Sequence, residues 1–140
     1  MRIRRAGAAD VEALRSLIAT MGYRVGPTEL EARLRSLPEN HAVFVAESGS
    51  GVAGWVHVLI GHSLIDGPRA ELGGLSVADE AQGLGAGSAL LSAAEEWAAE
   101  RGVRTIHLRS GTERTGAHAF YRSRGYQVVK SQLALRKTTG

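Results

Sequence analysis

The chain has 140 residues and no cysteine. That removes disulfide frameworks, thiolate metal sites and cysteine nucleophiles together. Aromatic residues make up only 5%, and the 17 Lys and Arg are interleaved with 14 Asp and Glu. Both features fall short of a nucleic-acid-binding signature. No apolar run approaches the roughly 18 residues needed to span a bilayer. Met1-Arg2-Ile3-Arg4-Arg5-Ala6 is basic, but no apolar stretch follows it as in a secretory leader. The expectation is a cytoplasmic protein with no membrane and no nucleic-acid partner.

What is present is ordinary for a globular chain: 44% apolar and 22% charged residues, with a net charge of +3. Length and composition predict one domain over 1–140. The small positive charge hints at an anionic partner. Glycine is the exception, with 18 residues, nearly twice the usual ~7%.

Periodicity predicts the order β-α-α-β-β-β-α-β-α-β-β. Arg2 to Ala6 reads as a strand. Val11, Leu14, Leu17, Ile18 and Met21 mark an amphipathic helix over Ala9 to Thr20. Leu30, Leu34 and Leu37 mark a second, opened by Pro27 and closed before Pro38. Ala42 to Ala46 and Val52 to Ile60 form a hairpin, and Gly61 to Pro68 reads as a loop. Arg69 to Val77 is a strand in which Gly73-Gly74 signals a bulge or a close approach. Gly87 to Arg101 is the strongest helix, followed by a strand over Val103 to Leu108. Ala117, Phe120 and Tyr121 lie on a last helix that Gly125 stops. Tyr126 to Val129 and Gln132 to Leu135 read as closing strands. This order predicts an α/β fold with a mixed sheet, helices on both faces, and one parallel strand-helix-strand unit.

The stretch from Leu75 to Ser88 carries the chemistry. A strand ends at Leu75-Ser76-Val77, alternating glycines follow in Gln82-Gly83-Leu84-Gly85-Ala86-Gly87-Ser88, and a long helix starts. Bare glycine N–H groups and the unpaired donors of a helix N-terminus make a cradle for phosphate. The loop has no Gly-Lys-Ser/Thr, as a Walker A loop requires. It reads Gly-x-Gly-x-Gly rather than Gly-x-Gly-x-x-Gly, and the next strand ends in Arg109-Ser110 rather than in a ribose-binding acid. Both nucleotide readings weaken.

The loop resembles the Gln/Arg-x-x-Gly-x-Gly/Ala coenzyme A loop of the GNAT superfamily of N-acetyltransferases. Ala117-His118-Ala119-Phe120-Tyr121-Arg122-Ser123-Arg124-Gly125-Tyr126 is similar to that family's Ala-x-x-Phe-Tyr-x-x-x-Gly-Phe/Tyr segment. The element order matches as well, so the resemblance covers essentially the whole chain.

The resemblance implies an acetyl-CoA-dependent N-acetyltransferase in which a primary amine attacks the thioester directly, with no metal. The strand ending at Val77 would splay from Val103 to Leu108. Backbone groups of Leu75 and Val77 would pair with pantetheine, and those of Gly83 to Ser88 would hold the pyrophosphate. The Val77 N–H would face the thioester oxygen as an oxyanion donor. Tyr121 would be the general acid for the leaving thiolate, although spacing alone makes it a core aromatic. Glu71 would be a general base, directly or through water, or else an electrostatic attractor for the amine. Arg114 stands where the family often has an asparagine on the cofactor; an arginine there would reach a CoA phosphate in place of the usual amide contact. Asp79 stands where proline is common.

Other candidates are thinner. His41, His57, His62 and His107 show no metal-ligand spacing. His118 reads as a surface histidine. Tyr23, Arg24, Trp55, His62 and Asp66 fall where such a fold lines its acceptor site. The acceptor is a small-molecule or peptide amine, with the short loops leaning toward the small molecule. A monomer and a homodimer fit equally. A non-catalytic acyl-CoA-binding module is the alternative, and it would need neither Tyr121 nor Glu71.

Overall fold

The computed structural model describes residues 1–140. A five-stranded sheet runs in the order β1 (Arg2–Arg5), β2 (His41–Ser48), β3 (Gly51–Ser63), β4 (Gly67–Val77) and β5 (Ile106–His107). Each neighbouring pair is antiparallel except β4 and β5, which are parallel. A parallel pair needs a crossover, and α3 (Ala86–Glu100) supplies it. The helices α1 (Val11–Thr20) and α2 (Pro27–Arg35) lie between β1 and β2 in the chain, and α4 (Thr115–Ser123) follows β5.

Alternation along the strands divides the apolar residues between the two faces. Ala42 and Ala46 of β2, Val56, Val58 and Ile60 of β3, and Ala70 of β4 form one core with Leu90, Ala94, Trp97 and Ala98 of α3. Gly54 lets that helix come close: a Cβ there would lie 3.0 Å from Leu90 Cδ1 and 2.9 Å from the Ser76 carbonyl. Val43 and Val45 point to the opposite face and are also buried. There α1 turns Val11, Leu14 and Leu17 inward.

Arg4 ties α1 to this second face. Arg4 is opposite Val45 in the register, and its guanidinium donates to both oxygens of Asp10 at 2.8 Å and to Glu47. Asp10 also accepts the Gly7 N–H, and it is the one buried charged residue. The guanidinium holds the Asp10 carboxyl below the usual carboxylate range.

Two expectations change. Tyr126 to Val129 and Gln132 to Leu135 form no strands. Leu133 and Leu135 alternate as a strand would but stay exposed; alternation creates an apolar edge, and only a partner strand turns it into a ladder. Gly61 to Pro68 is not a loop but the tip of a long β3–β4 hairpin, paired out to Ser63 and Gly67. Contacts group the chain into two compact units, Met1–Leu108, with the sheet and α1 to α3, and Arg109–Gly140, with α4. No helix is long and apolar enough to cross a membrane.

Candidate functional site

Within the first unit, β4 and β5 part company. They are paired only at Ala70 with Ile106 and Glu71 with His107, so β5 is shorter than the expected Val103 to Leu108. Beyond that point β4 continues to Val77 with β3 as its sheet neighbour. The divergence begins at a bulge: His57 is opposite Gly74 and Val58 is opposite Leu72, which leaves Gly73 as the extra residue.

The backbone direction of this open edge follows from one hydrogen bond. The Ala78 N–H donates to the Ala53 carbonyl at 2.8 Å, so residue 78 faces β3. Backbone groups alternate sides along a strand, so the N–H and C=O of Leu75 and Val77 face the side that β5 has left. Ser76 faces β3 between them. The Gln82 side-chain amide reaches the Val77 carbonyl at 3.4 Å and Asp79 at 3.3 Å, which folds the glycine loop back onto the strand end.

A short 3-10 turn, Asp79–Ala81, leads into that loop. Gly83 (φ +83°) and Gly85 (φ +90°) then adopt left-handed conformations, which cost an L-residue roughly 1–2 kcal/mol. Gly85 is the N-cap of α3 and offers no side chain to cap it. The first intrahelical bond runs from Ala89 N–H to the Gly85 carbonyl. The N–H groups of Ala86, Gly87 and Ser88 therefore form an uncapped first turn, with the positive end of the helix dipole behind them. Ala86 is buried and anchors the turn, while Leu84 projects outward. The Gln82 and Leu84 N–H groups close turns onto the Asp79 and Ala81 carbonyls, and Gly83, Gly85 and Ala86 to Ser88 present donors of the kind that bind phosphate.

Glu71 sits where the pairing with β5 stops, opposite Leu59 and His107. Directly paired residues share a face, and this is the face away from α3. Arg69 donates to Glu71 Oε1 at 3.1 Å and to Asp66 at 3.0 Å. The three side chains form a network of two carboxylates about one guanidinium. Trp55 and His57 lie on the same face, against the two glycines. A Cβ on Gly74 would collide with the Trp55 ring, and one on Gly73 would lie 2.7 Å from His57 Nδ1. His57 Nε2 is 2.9 Å from His41 Nδ1. Burial, and then the neighbouring His41, pushes the His57 imidazole below its ordinary value. Sequence spacing had tested these histidines only as metal ligands. Their pairing depends on strand register, which spacing does not reveal.

In the second unit, Arg114 is the N-cap residue of α4. His118 meets the Gly111 carbonyl at 2.8 Å. Tyr121 packs edge-on against Phe120 and Tyr126, with ring centroids 5.3 and 5.7 Å away. Gly125 (φ +91°) ends the helix, and the Tyr126 N–H returns to the Tyr121 carbonyl. Burial pushes the Tyr121 phenol above its ordinary value, and the positive charge of Arg114 partly offsets this. A phenol so placed stays protonated at neutral pH and can donate a proton.

Comparison with known proteins finds relatives of this chain. A family model described as the acetyltransferase (GNAT) family matches residues 11–126. An aminoglycoside N(6')-acetyltransferase type 1 from Stenotrophomonas maltophilia is 32% identical over 113 residues, covering 76% of this chain and 74% of that protein. A transcriptional regulator from Bacillus halodurans C-125 superposes with a TM-score of 0.86 at 26% identity, over 97% of this chain and 99% of that one. The aminoglycoside acetyltransferase AAC(6')-Iy, in complex with the bisubstrate analogue CoA-S-monomethyl-acetylneamine, gives a TM-score of 0.86 at 19% identity, over 99% and 98% of the two chains.

Proposed function

The chain belongs to the GNAT family of acetyltransferases, with acetyl-CoA as its acetyl donor, and we propose that its acceptor is a small polar molecule carrying a primary amine. The relative from Stenotrophomonas maltophilia acts on an aminoglycoside by its name, and an amino sugar is the acceptor class this reading favours. The acidic network of Asp66, Arg69 and Glu71 on the open face supports it, because a net negative charge there draws a cationic ammonium toward the β4 edge.

The single observation that carries the reading is the edge itself: a strand end whose Leu75 and Val77 backbone groups point away from β3, followed by a capless glycine turn. Acetyl-CoA would lie with its pantetheine amides on Leu75 and Val77. Its pyrophosphate would take the N–H groups of Gly83 to Ser88. The Val77 N–H would stabilise the oxyanion as the amine attacks, which is the term that most often dominates acyl transfer. Tyr121 would protonate the departing thiolate, and Arg114 would meet a phosphate of the cofactor. Glu71 would act here as the attractor of the ammonium. A cytoplasmic setting, where acetyl-CoA is made and used, belongs to the same reading.

Calorimetric titration with acetyl-CoA, with NAD in parallel, tests it. Micromolar acetyl-CoA binding without NAD binding is the expected result. A following screen for CoA thiol release should favour aminoglycosides and other polyamines over peptides. Absence of acetyl-CoA binding would overturn the site, and exclusive turnover of peptide amines would overturn the acceptor class.

A further inference from the structure

The amine must lose a proton before it can attack, and the β2–β3–β4 surface carries a device for this that the acidic network does not supply. We propose that His57 takes the proton of the acceptor ammonium at Nδ1 and that His41 shares the resulting charge and releases a proton to solvent. This inference rests on the acetyltransferase reading above.

Four observations place the pair. His57 Nδ1 faces the backbone at Gly73, the bulged residue from which β4 leaves β5. Leu75, whose N–H faces the open edge, is two residues farther on, about 7 Å along the strand. The Val77 N–H, which would hold the oxyanion, is four residues on, about 13 Å along the strand, so an ammonium approaching that carbonyl from the face away from α3 passes beside His57 before it attacks. The glycine at 73 is needed for this, since a Cβ would sit 2.7 Å from Nδ1. The other ring nitrogen, Nε2, is hydrogen-bonded to His41 Nδ1 at 2.9 Å. In the tautomer with His57 Nε2–H donating to His41, the Nδ1 lone pair is left toward β4. His41 in turn lines a cavity of about 560 Å³ with Arg5, Leu34, Leu37, Pro38, Glu39 and other residues. The cavity gives the far end of the pair access to water.

The charges around His57 are few. From β2 it meets His41. On β4 the face holds Arg69 and Glu71, bound to one another, and on β5 His107 is opposite Glu71. The inward residues of α1 are Val11, Leu14 and Leu17, without charge. Burial and His41 keep the imidazole neutral near pH 7, which is the form a base requires.

The protons balance. The ammonium gives one proton to His57 Nδ1, and the imidazolium charge spreads over the hydrogen-bonded pair. His41 releases a proton to water, and the ring tautomers reset by exchange with water between turnovers. The amine nitrogen forms the bond to the acetyl carbon and the C–S bond breaks. The second nitrogen proton, lost as the amide forms, replaces the one that Tyr121 gives to the thiolate. His57 would touch the reacting amine, while His41 is a positioning residue that acts through it.

The test is the pH profile of kcat at saturating acetyl-CoA and amine, for wild type, His57→Gln, His41→Asn and Glu71→Gln, with acetyl-CoA affinity measured for each. Wild type should lose activity below about pH 6.5 as His57 protonates. His57→Gln, which keeps a donor toward His41, should lower kcat by roughly 10²–10⁴-fold, the range for a lost general base, abolish that acidic limb and leave acetyl-CoA affinity unchanged. His41→Asn keeps an acceptor for His57 but removes the neighbouring imidazole that helps push His57 down, so the limb should move up in pH and kcat should fall less. Unchanged kcat and limb in His57→Gln would overturn the proposal, as would a limb lost only in Glu71→Gln. If His57→Gln does not fold, NMR titration of the imidazoles in wild type and His41→Asn decides. A His57 that titrates above pH 7, or is indifferent to His41, overturns it. Wild type that binds no acetyl-CoA sinks the acetyltransferase reading as well, whereas an active wild type with a pH-insensitive kcat sinks the relay alone.

Discussion

Arg4 places two guanidinium nitrogens on the two carboxylate oxygens of Asp10, each at 2.8 Å. The contact joins the first strand to the start of α1, and Asp10 is buried. Asp10→Ala should destabilise the fold by roughly 1.5–3 kcal/mol, the scale of hydrogen bonds to charged groups. The sign with pH follows from the lowered Asp10 carboxyl. Its contribution is complete above the ordinary carboxylate range near pH 4 and is lost as the pH falls through the depressed folded-state value. Denaturant midpoints from pH 2 to 7 should converge for wild type and variant only at the acidic end.

Gly85 adopts φ +90° at the start of α3, a conformation that penalises any Cβ. Gly85→Ala should cost roughly 1–2 kcal/mol of stability. The turn that presents the Ala86, Gly87 and Ser88 N–H groups would also shift, and acetyl-CoA affinity should fall by about tenfold or more, equivalent to ~1.4 kcal/mol. Calorimetry at a temperature where the variant is fully folded separates the two effects. Unchanged affinity would mean the phosphate lies elsewhere.

Tyr121→Phe removes a hydroxyl and keeps the ring against Phe120 and Tyr126. In the role proposed for it Tyr121 must be protonated, so activity should fall only as the pH rises past 10, because burial pushes the phenol upward. The variant should lose that alkaline limb and about 10²–10⁴-fold in kcat, with little change in thermal midpoint. A variant with wild-type kcat would make Tyr121 a packing residue.

Glu71→Gln removes a charge from the network with Asp66 and Arg69. Its effect should fall on the KM for the amine, raising it about fivefold for a ~1 kcal/mol electrostatic loss at a partly exposed site. The increase should shrink at high salt. A fall in kcat with unchanged KM would assign Glu71 a role in proton transfer instead.

How legible these features were depended on their range. The glycine loop is local: Gly83 and Gly85 follow one another at the spacing of a turn, and a helix with buried Leu90, Leu91 and Ala94 comes directly after. Chain order alone implies donors converging there. The Gly73-Gly74 pair was likewise readable as a bulge or close approach, because two glycines in a strand have few other uses. The stretch from Tyr126 to Leu135 departs from its pattern for the opposite reason. Leu133 and Leu135 carry the alternation of a strand, but a strand exists only with an edge to pair with, and alternation does not name one. The N-terminal arginines read only as part of a basic first strand, and the fold alone shows Arg4 closed onto Asp10 and Glu47.

The sequence by itself determined the family, the succession of elements from the first strand to the last helix, the glycine turn and the phenol-bearing helix, since each rests on residues within a few positions of one another. Tertiary structure decided what lies across strands. Register brings His41 and His57, sixteen positions apart, to 2.9 Å. It sets Gly73 under the imidazole, limits β5 to two paired residues, and aims Leu75 and Val77 at the gap that results. A strand pattern of period two fixes which residues share a face. It leaves the offset between neighbouring strands to the packing of α3 and α1 on the two faces, and that offset is what assembles the site.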